Sequence, residues 1–197
     1  MSRPSHREHL IETGVETLMR QGFTNAGVRD IVAAAGVPLG SFTNHFRSKE
    51  AFAIEVLDRY FASIRGVMAQ TLEATDMPAH QRLSAYLDTI TELMRVSGWR
   101  YGCLLGNFGL EASGQSELIR ERLQSIFADW RKPFIALVAD AQNEGEISAG
   151  LAPDDVAEFL LAGWHGAILR MKIERSDEAL NRFRRVIDAT LFQSRRG

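Results

Sequence analysis

"GFTNAGVRDIVAAAGVPLGSFTNHFRSKEAF", residues 22–52, holds two short apolar-periodic stretches that break at a glycine. The first runs from Val28 to Ala35, with Ile31, Val32 and Ala35 on one face, Gly27 at its N-cap and Gly36 as its stop. Pro38 opens the second, because its fixed φ suits a helix start, and Phe42 and Phe46, four apart, turn inward beside Val37. Ser48 then caps a longer helix, with Glu50 in its acidic first turn. What remains outside is Leu39, Ser41, Thr43, Asn44 and His45, a face that reads neither as core nor as a solvated charge surface. Two short helices joined through a glycine turn, with such a face on the second, are the recipe of a helix-turn-helix. The second helix of that unit can enter a major groove. Gly40 would let a backbone approach closely, and the free amides after Pro38 would point at phosphate.

Outward from this stretch, apolar residues repeat at three and four, and none alternates as a strand would, so the fold class is all-α. Leu10, Ile11, Val15, Leu18 and Met19 form a first stripe that ends at Gly22. The helix after Ser48 carries Phe52, Val56, Tyr60, Ile64, Val67 and Met68 and is expected to reach about Thr75. Further helices are expected over 78–96, within the glycine-broken "GWRYGCLLGNFGLEASG", and over 116–143 with a kink at Pro133. The stretch from Val156 to Ile173 is apolar on almost all sides, so it should be deeply buried or face another chain. A final helix after Ser176 carries Leu180, Phe183, Ile187 and Leu191, spacing that suits helix-to-helix packing.

With 197 residues, 45 % hydrophobic and 24 % charged, the chain can bury a sizeable core and has no low-complexity segment. Net charge is −2, divided as +1 over residues 1–50 and −3 over the remainder, too faint a bias to announce a nucleic-acid protein by itself. The opening "MSRPSHREHL" lacks the apolar region of a signal peptide, and "FLLAGWHGAIL" is shorter than the roughly 20 residues that span a bilayer. A cytoplasmic protein without a membrane segment is expected. Its single cysteine, Cys103, excludes a disulfide within one chain, and no zinc signature or cofactor motif is present. His6 and His9 share a helix face without a third ligand and read as solvated surface, so no metal is expected.

The stretch from Gly22 to Phe52 resembles the TetR family of bacterial transcription regulators. The resemblance rests on Gly22-Phe23, Asp30-Ile31, Ala35-Gly36-Val37, Gly40-Ser41-Phe42, Phe46 and Ser48-Lys49-Glu50. It implies an N-terminal three-helix DNA-binding domain, residues 1–47, on a larger helical regulatory and dimerisation domain, residues 48–197. By the same resemblance Arg29 and Lys49 are phosphate contacts, Pro38, Leu39 and Ser41 lie at the DNA surface, and Thr43, Asn44 and His45 form the base-reading edge. Thr43 stands where most members carry a tyrosine, and Leu39 where a lysine is common, which implies fewer phosphate contacts. The resemblance also implies a homodimer on a near-palindromic duplex and release by a small-molecule effector, hence a repressor.

"YGCLLGNFGLE" resembles a subgroup in which Gly-Cys-Leu belongs to sensors of reactive electrophiles and oxidants. On that reading Cys103 is the sensor, and Lys172, one of three lysines, would favour its thiolate if it lies nearby. Against it stands a plain alternative, a small buried hydrophobe beside Leu104 and Leu105. Trp164 and His165, between Gly163 and Gly166, are candidates for a non-covalent effector cavity, although core packing explains the tryptophan equally well. Two other classes stay open at this point: a thiol enzyme built from Cys103 with His165 or His80, and a DNA-bound adaptor with no small-molecule effector.

Overall fold

Helix boundaries follow local capping chemistry closely at the N-terminal end. The computed structural model describes residues 6–192, and every regular element among them is a helix. The first, α1 (His6–Gln21), ends at Gly22, and α2 (Val28–Ala34) starts behind Gly27, whose N–H donates to Asp30 Oδ2 at 2.8 Å. Gly36 takes φ +63°, the left-handed conformation a residue with a Cβ adopts at a cost. Its turn is closed by Val37 N–H donating to the Val32 carbonyl at 3.1 Å. Then follows α3 (Leu39–His45), with Pro38 extended at its N-cap and not inside the first turn. Ser48 Oγ accepts the Ala51 N–H at 3.0 Å and so caps α4 (Lys49–Gln70). That helix stops short of the expected Thr75.

The later helices are α5 (Ala79–Val96), α6 (Leu104–Glu111), α7 (Glu117–Asn143), α8 (Pro153–Glu174) and α9 (Glu178–Thr190). α6 is the short helix expected in the glycine-broken segment. α7 runs on through Pro133, where the ring removes one backbone donor.

The chain forms two compact units, Met1–Ser63 with Leu104–Ile126, and Ile64–Cys103 with Phe127–Gly197. They do not coincide with the functional division expected at residue 47. In the first unit Phe42, Phe46 and Phe52 meet with ring centroids 5.2, 5.1 and 4.9 Å apart, and Phe52 is fully buried. Residues beyond 47 thus complete the core under the first three helices. Arg122 of α7 donates to Asp58 of α4 at 2.6 Å in the same unit.

In the second unit Trp130 Nε1 donates to the Tyr86 hydroxyl at 3.1 Å, and Tyr86 meets Phe134 edge-on at 5.3 Å. The buried Arg82 binds the Leu72 carbonyl at 3.1 Å and Asp140 at 2.8 Å, which satisfies most of a charge that would otherwise be costly there. α8 packs against α9, where Trp164 lies 5.6 Å from Phe183. One side of α8 is buried through Val156, Leu160, Trp164, Ile168 and Met171. Its other side leaves Phe159 60 % and Ile173 67 % exposed, with Val186 of α9 at 51 %. Of the two outcomes the all-round apolar pattern allowed, full burial within one chain is therefore excluded.

Candidate nucleic-acid interface and regulatory site

The aromatic cluster beneath α3 turns the helix so that Phe42 is buried and its other side is out. Leu39, Thr43, Asn44 and His45 are exposed, and Ser41 is half-buried, its hydroxyl 3.5 Å from His6 Nδ1. Thr43 Oγ1 donates back to the Gly40 carbonyl at 3.2 Å, which leaves Asn44, with two donors and one acceptor oxygen, as the versatile group on this edge. A Cβ at Gly40 would meet nothing within 4 Å, so no packing demands glycine there and the backbone lies open to approach. Pro38 and Arg29 are exposed.

Lys49 is not a free surface lysine. Its Nζ lies 4.5 Å from the Phe23 ring centroid, a cation–π contact. Burial lowers the Lys49 pKa, opposed by the charges of Asp30 and Glu111. Arg47, exposed directly after the α3 C-cap, is a further cation beside this edge.

The second site centres on Cys103, 5 % exposed. Its side chain is near enough to His165 to act on that ring's ionisation. The ring's Nδ1 lies 2.8 Å from the Leu161 carbonyl and therefore carries a proton there, while Nε2 is a buried atom with no hydrogen-bond partner. Burial opposes a charge on this ring, yet Cys103, the Leu161 carbonyl and Glu158 together outweigh it and raise the His165 pKa. Trp130 and Phe127 wall the ring at 4.9 and 5.4 Å. Tyr86 is kept from ionising first by burial and further by Cys103.

Of the four residues expected here, the structure brings Cys103 and His165 together. The Lys172 stem lies against Gly102, its Cδ 3.5 Å from where a Cβ would sit, one residue before the cysteine. Trp164 faces Phe183 instead, on the α8–α9 side. His80, the alternative base, is engaged with Glu146 at 2.8 Å. Tyr86, Phe127 and Trp130 come from α5 and α7, and nothing in their local sequence marks them. No metal-competent cluster of three His, Cys, Asp or Glu occurs among the described residues.

A family model described as "Bacterial regulatory proteins, tetR family" matches residues 10–56, and one described as "Tetracyclin repressor-like, C-terminal domain" matches residues 79–187, more than half of the chain. The chain belongs to the TetR family. Among relatives of this TetR-family protein, the HTH-type transcriptional repressor DhaR of Mycobacterium sp. (strain GP1) is 43 % identical over 98 % of this chain and 96 % of its own length. The HTH-type transcriptional repressor NemR of Escherichia coli (strain K12) is 33 % identical over 88 % of this chain and 87 % of its own. A crystal structure of a regulatory protein TetR from Rhodobacter sphaeroides superposes with a TM-score of 0.91 at 32 % identity, covering 95 % of this chain and all of that one. The reduced form of E. coli NemR superposes at 0.83 with 30 % identity, covering 98 % of this chain and all of that one. These relatives are transcriptional regulators and not enzymes, so the thiol-enzyme alternative falls. No helix among the described residues is long and apolar enough to cross a membrane.

Proposed function

We propose that this TetR-family regulator is a cytoplasmic homodimeric repressor, released from a near-palindromic operator by a small-molecule effector. The observation that carries the reading is the exposed, uncharged edge of α3, Thr43, Asn44 and His45, held out by a buried aromatic cluster. Residues 1–47 are its DNA reader and 48–197 its effector and dimerisation part, with Arg29, Pro38, Leu39, Ser41 and Lys49 around the reading edge.

Dimerisation is supported by α8 and α9. Phe159, Leu169 and Ile173 of α8 are exposed, and Val186 of α9 lines a groove with Gly163, Gly166 and Ala167, small residues that let a second pair of helices approach. A two-fold pair then presents two recognition helices, about 34–36 Å apart when they fit successive major grooves.

The effector reading is a reactive electrophile or oxidant sensed at Cys103, supported by the Cys103–His165 pair and by relatives that include a repressor crystallised in a reduced form. The cysteine sulfur adds to the β-carbon of an activated alkene such as a quinone, and the thiol proton passes by way of the His165 imidazole to the resulting enolate. No atom is lost and the imidazole is left neutral. The adduct takes up room beside His165, which changes what packs around Trp130 and Phe127 and supplies the differential free energy a switch requires.

Footprinting on DNA flanking the protein's own gene tests the repressor reading, together with sedimentation of the purified protein. A protected, near-palindromic segment bound by a dimer is expected; a monomer at micromolar concentration, or no protected segment, contradicts it. Lys49→Ala is expected to weaken binding to all duplexes alike and to reduce the slope of log affinity against log salt by about 1 per chain, measured by anisotropy across a salt series.

A further inference from the structure

Glu111, the last residue of α6, spends its carboxylate on a turn 88 residues earlier in the chain. Oε2 accepts the Phe23 N–H at 2.8 Å and lies 3.4 Å from the Thr24 nitrogen, which donates to it as well. Room for the carboxylate exists because Gly22, at φ +79°, has no side chain: a Cβ there would sit 2.5 Å from Oε2. The same turn is gripped from below, where the Phe23 ring packs on Phe108 of α6 at 5.4 Å. On its other side the Phe23 ring carries the Lys49 ammonium, and the charges of Glu111 and Asp30 act on that ammonium.

One carboxylate therefore holds the backbone between α1 and α2 and steadies the aromatic platform under a phosphate-contact lysine. Hydrogen bonds to an ionised acceptor are the strong ones, and the two amides follow the end of α1, where no helical partner fixes the chain direction. We propose that Glu111 is a positioning residue for DNA binding: it sets the α1–α2 turn, and through α2 the presentation of α3, together with the Phe23–Lys49 stack. The inference rests on the reading of α3 as the DNA-reading helix.

Charge and hydrogen bonding pull in opposite directions here, and that makes the role separable. The negative charge near Lys49 competes with phosphate, so removing charge alone should not harm binding. Removing the acceptor should. The test uses full-length wild type, Glu111→Gln, Glu111→Ala and Glu111→Asp, with operator affinity by anisotropy and exchange of the Phe23 and Thr24 amides by NMR.

Glu111→Ala is expected to bind about tenfold or more weakly, with faster exchange at Phe23. Glu111→Gln keeps an acceptor oxygen and is expected to hold wild-type affinity or better, with the amide still protected. Glu111→Asp, one methylene shorter, is expected to lose protection at Phe23 and some affinity even if the alanine variant does not fold. Wild-type affinity in the alanine or aspartate variant, or equal weakening in alanine and glutamine variants, overturns the proposal. Failure of the wild type to bind any duplex overturns the DNA-reader assignment instead.

Discussion

Treatment with a benzoquinone is expected to lower operator affinity of the wild type by roughly 5- to 150-fold, the span of ordinary coupling free energies, and to leave Cys103→Ser almost unaffected. The argument runs from the pair. A buried thiol in apolar surroundings is normally inert, because desolvation disfavours the thiolate. On the sensor reading Cys103 escapes that rule through His165, whose Nδ1 is fixed on the Leu161 carbonyl and whose pKa Cys103 helps to raise. Replacing His165 by glutamine should therefore slow alkylation of Cys103 while leaving operator binding of untreated protein intact. Lys172, with its stem on Gly102, contributes positive charge along the same segment, so Lys172→Met is expected to slow alkylation less than the histidine change. Release measured by anisotropy and alkylation measured by mass spectrometry check both steps. Equal release of wild type and Cys103→Ser would leave a non-covalent effector as the surviving account, and a Cys103 that resists alkylation would do the same.

Phe42→Ala is expected to abolish operator binding by more than about 100-fold and to lower the melting temperature by roughly 6–20 °C. Phe42 is 3 % exposed and touches both Phe46 and Phe52, so truncation opens a cavity where α3 rests on α4. A large-to-small change of this kind costs about 3–5 kcal/mol, a substantial fraction of total domain stability. The exposed face of α8 and α9 is built from other residues, so the variant should remain dimeric in sedimentation. A folded variant that binds the operator normally would mean that α3 does not depend on this cluster for its place.

The N-terminal elements were legible in the sequence because their signals are local. Gly36, Pro38 and Ser48 each act within a turn of their own position, through a left-handed φ, a fixed φ and a capping hydroxyl. The edge of α3 followed from the four-residue spacing of Phe42 and Phe46, which leaves few positions facing outward. Where several faces of a helix are apolar, periodicity no longer says which one is covered. α8 illustrates this: Trp164 and Phe159 look equivalent in the sequence, yet one packs on Phe183 and the other is exposed. The neighbour of Cys103 is His165, 62 residues on, a pairing that the residue types suggest but that the sequence offers equally for His80. The Tyr86–Trp130 hydrogen bond and the role of Glu111 were not legible, since they come from packing between distant helices or from a turn far away in the chain.

The central claim, that α3 reads DNA in each half of a two-fold complex, is tested most directly by the base preference of Asn44→Ala. Affinities of wild type and variant would be measured by competition against operator duplexes carrying every single base change. The account predicts that the variant loses about 1–3 kcal/mol of discrimination at one base pair, repeated symmetrically in both half-sites, while preferences elsewhere stay as they were. An unchanged preference profile, or a loss spread evenly over all positions, would contradict it.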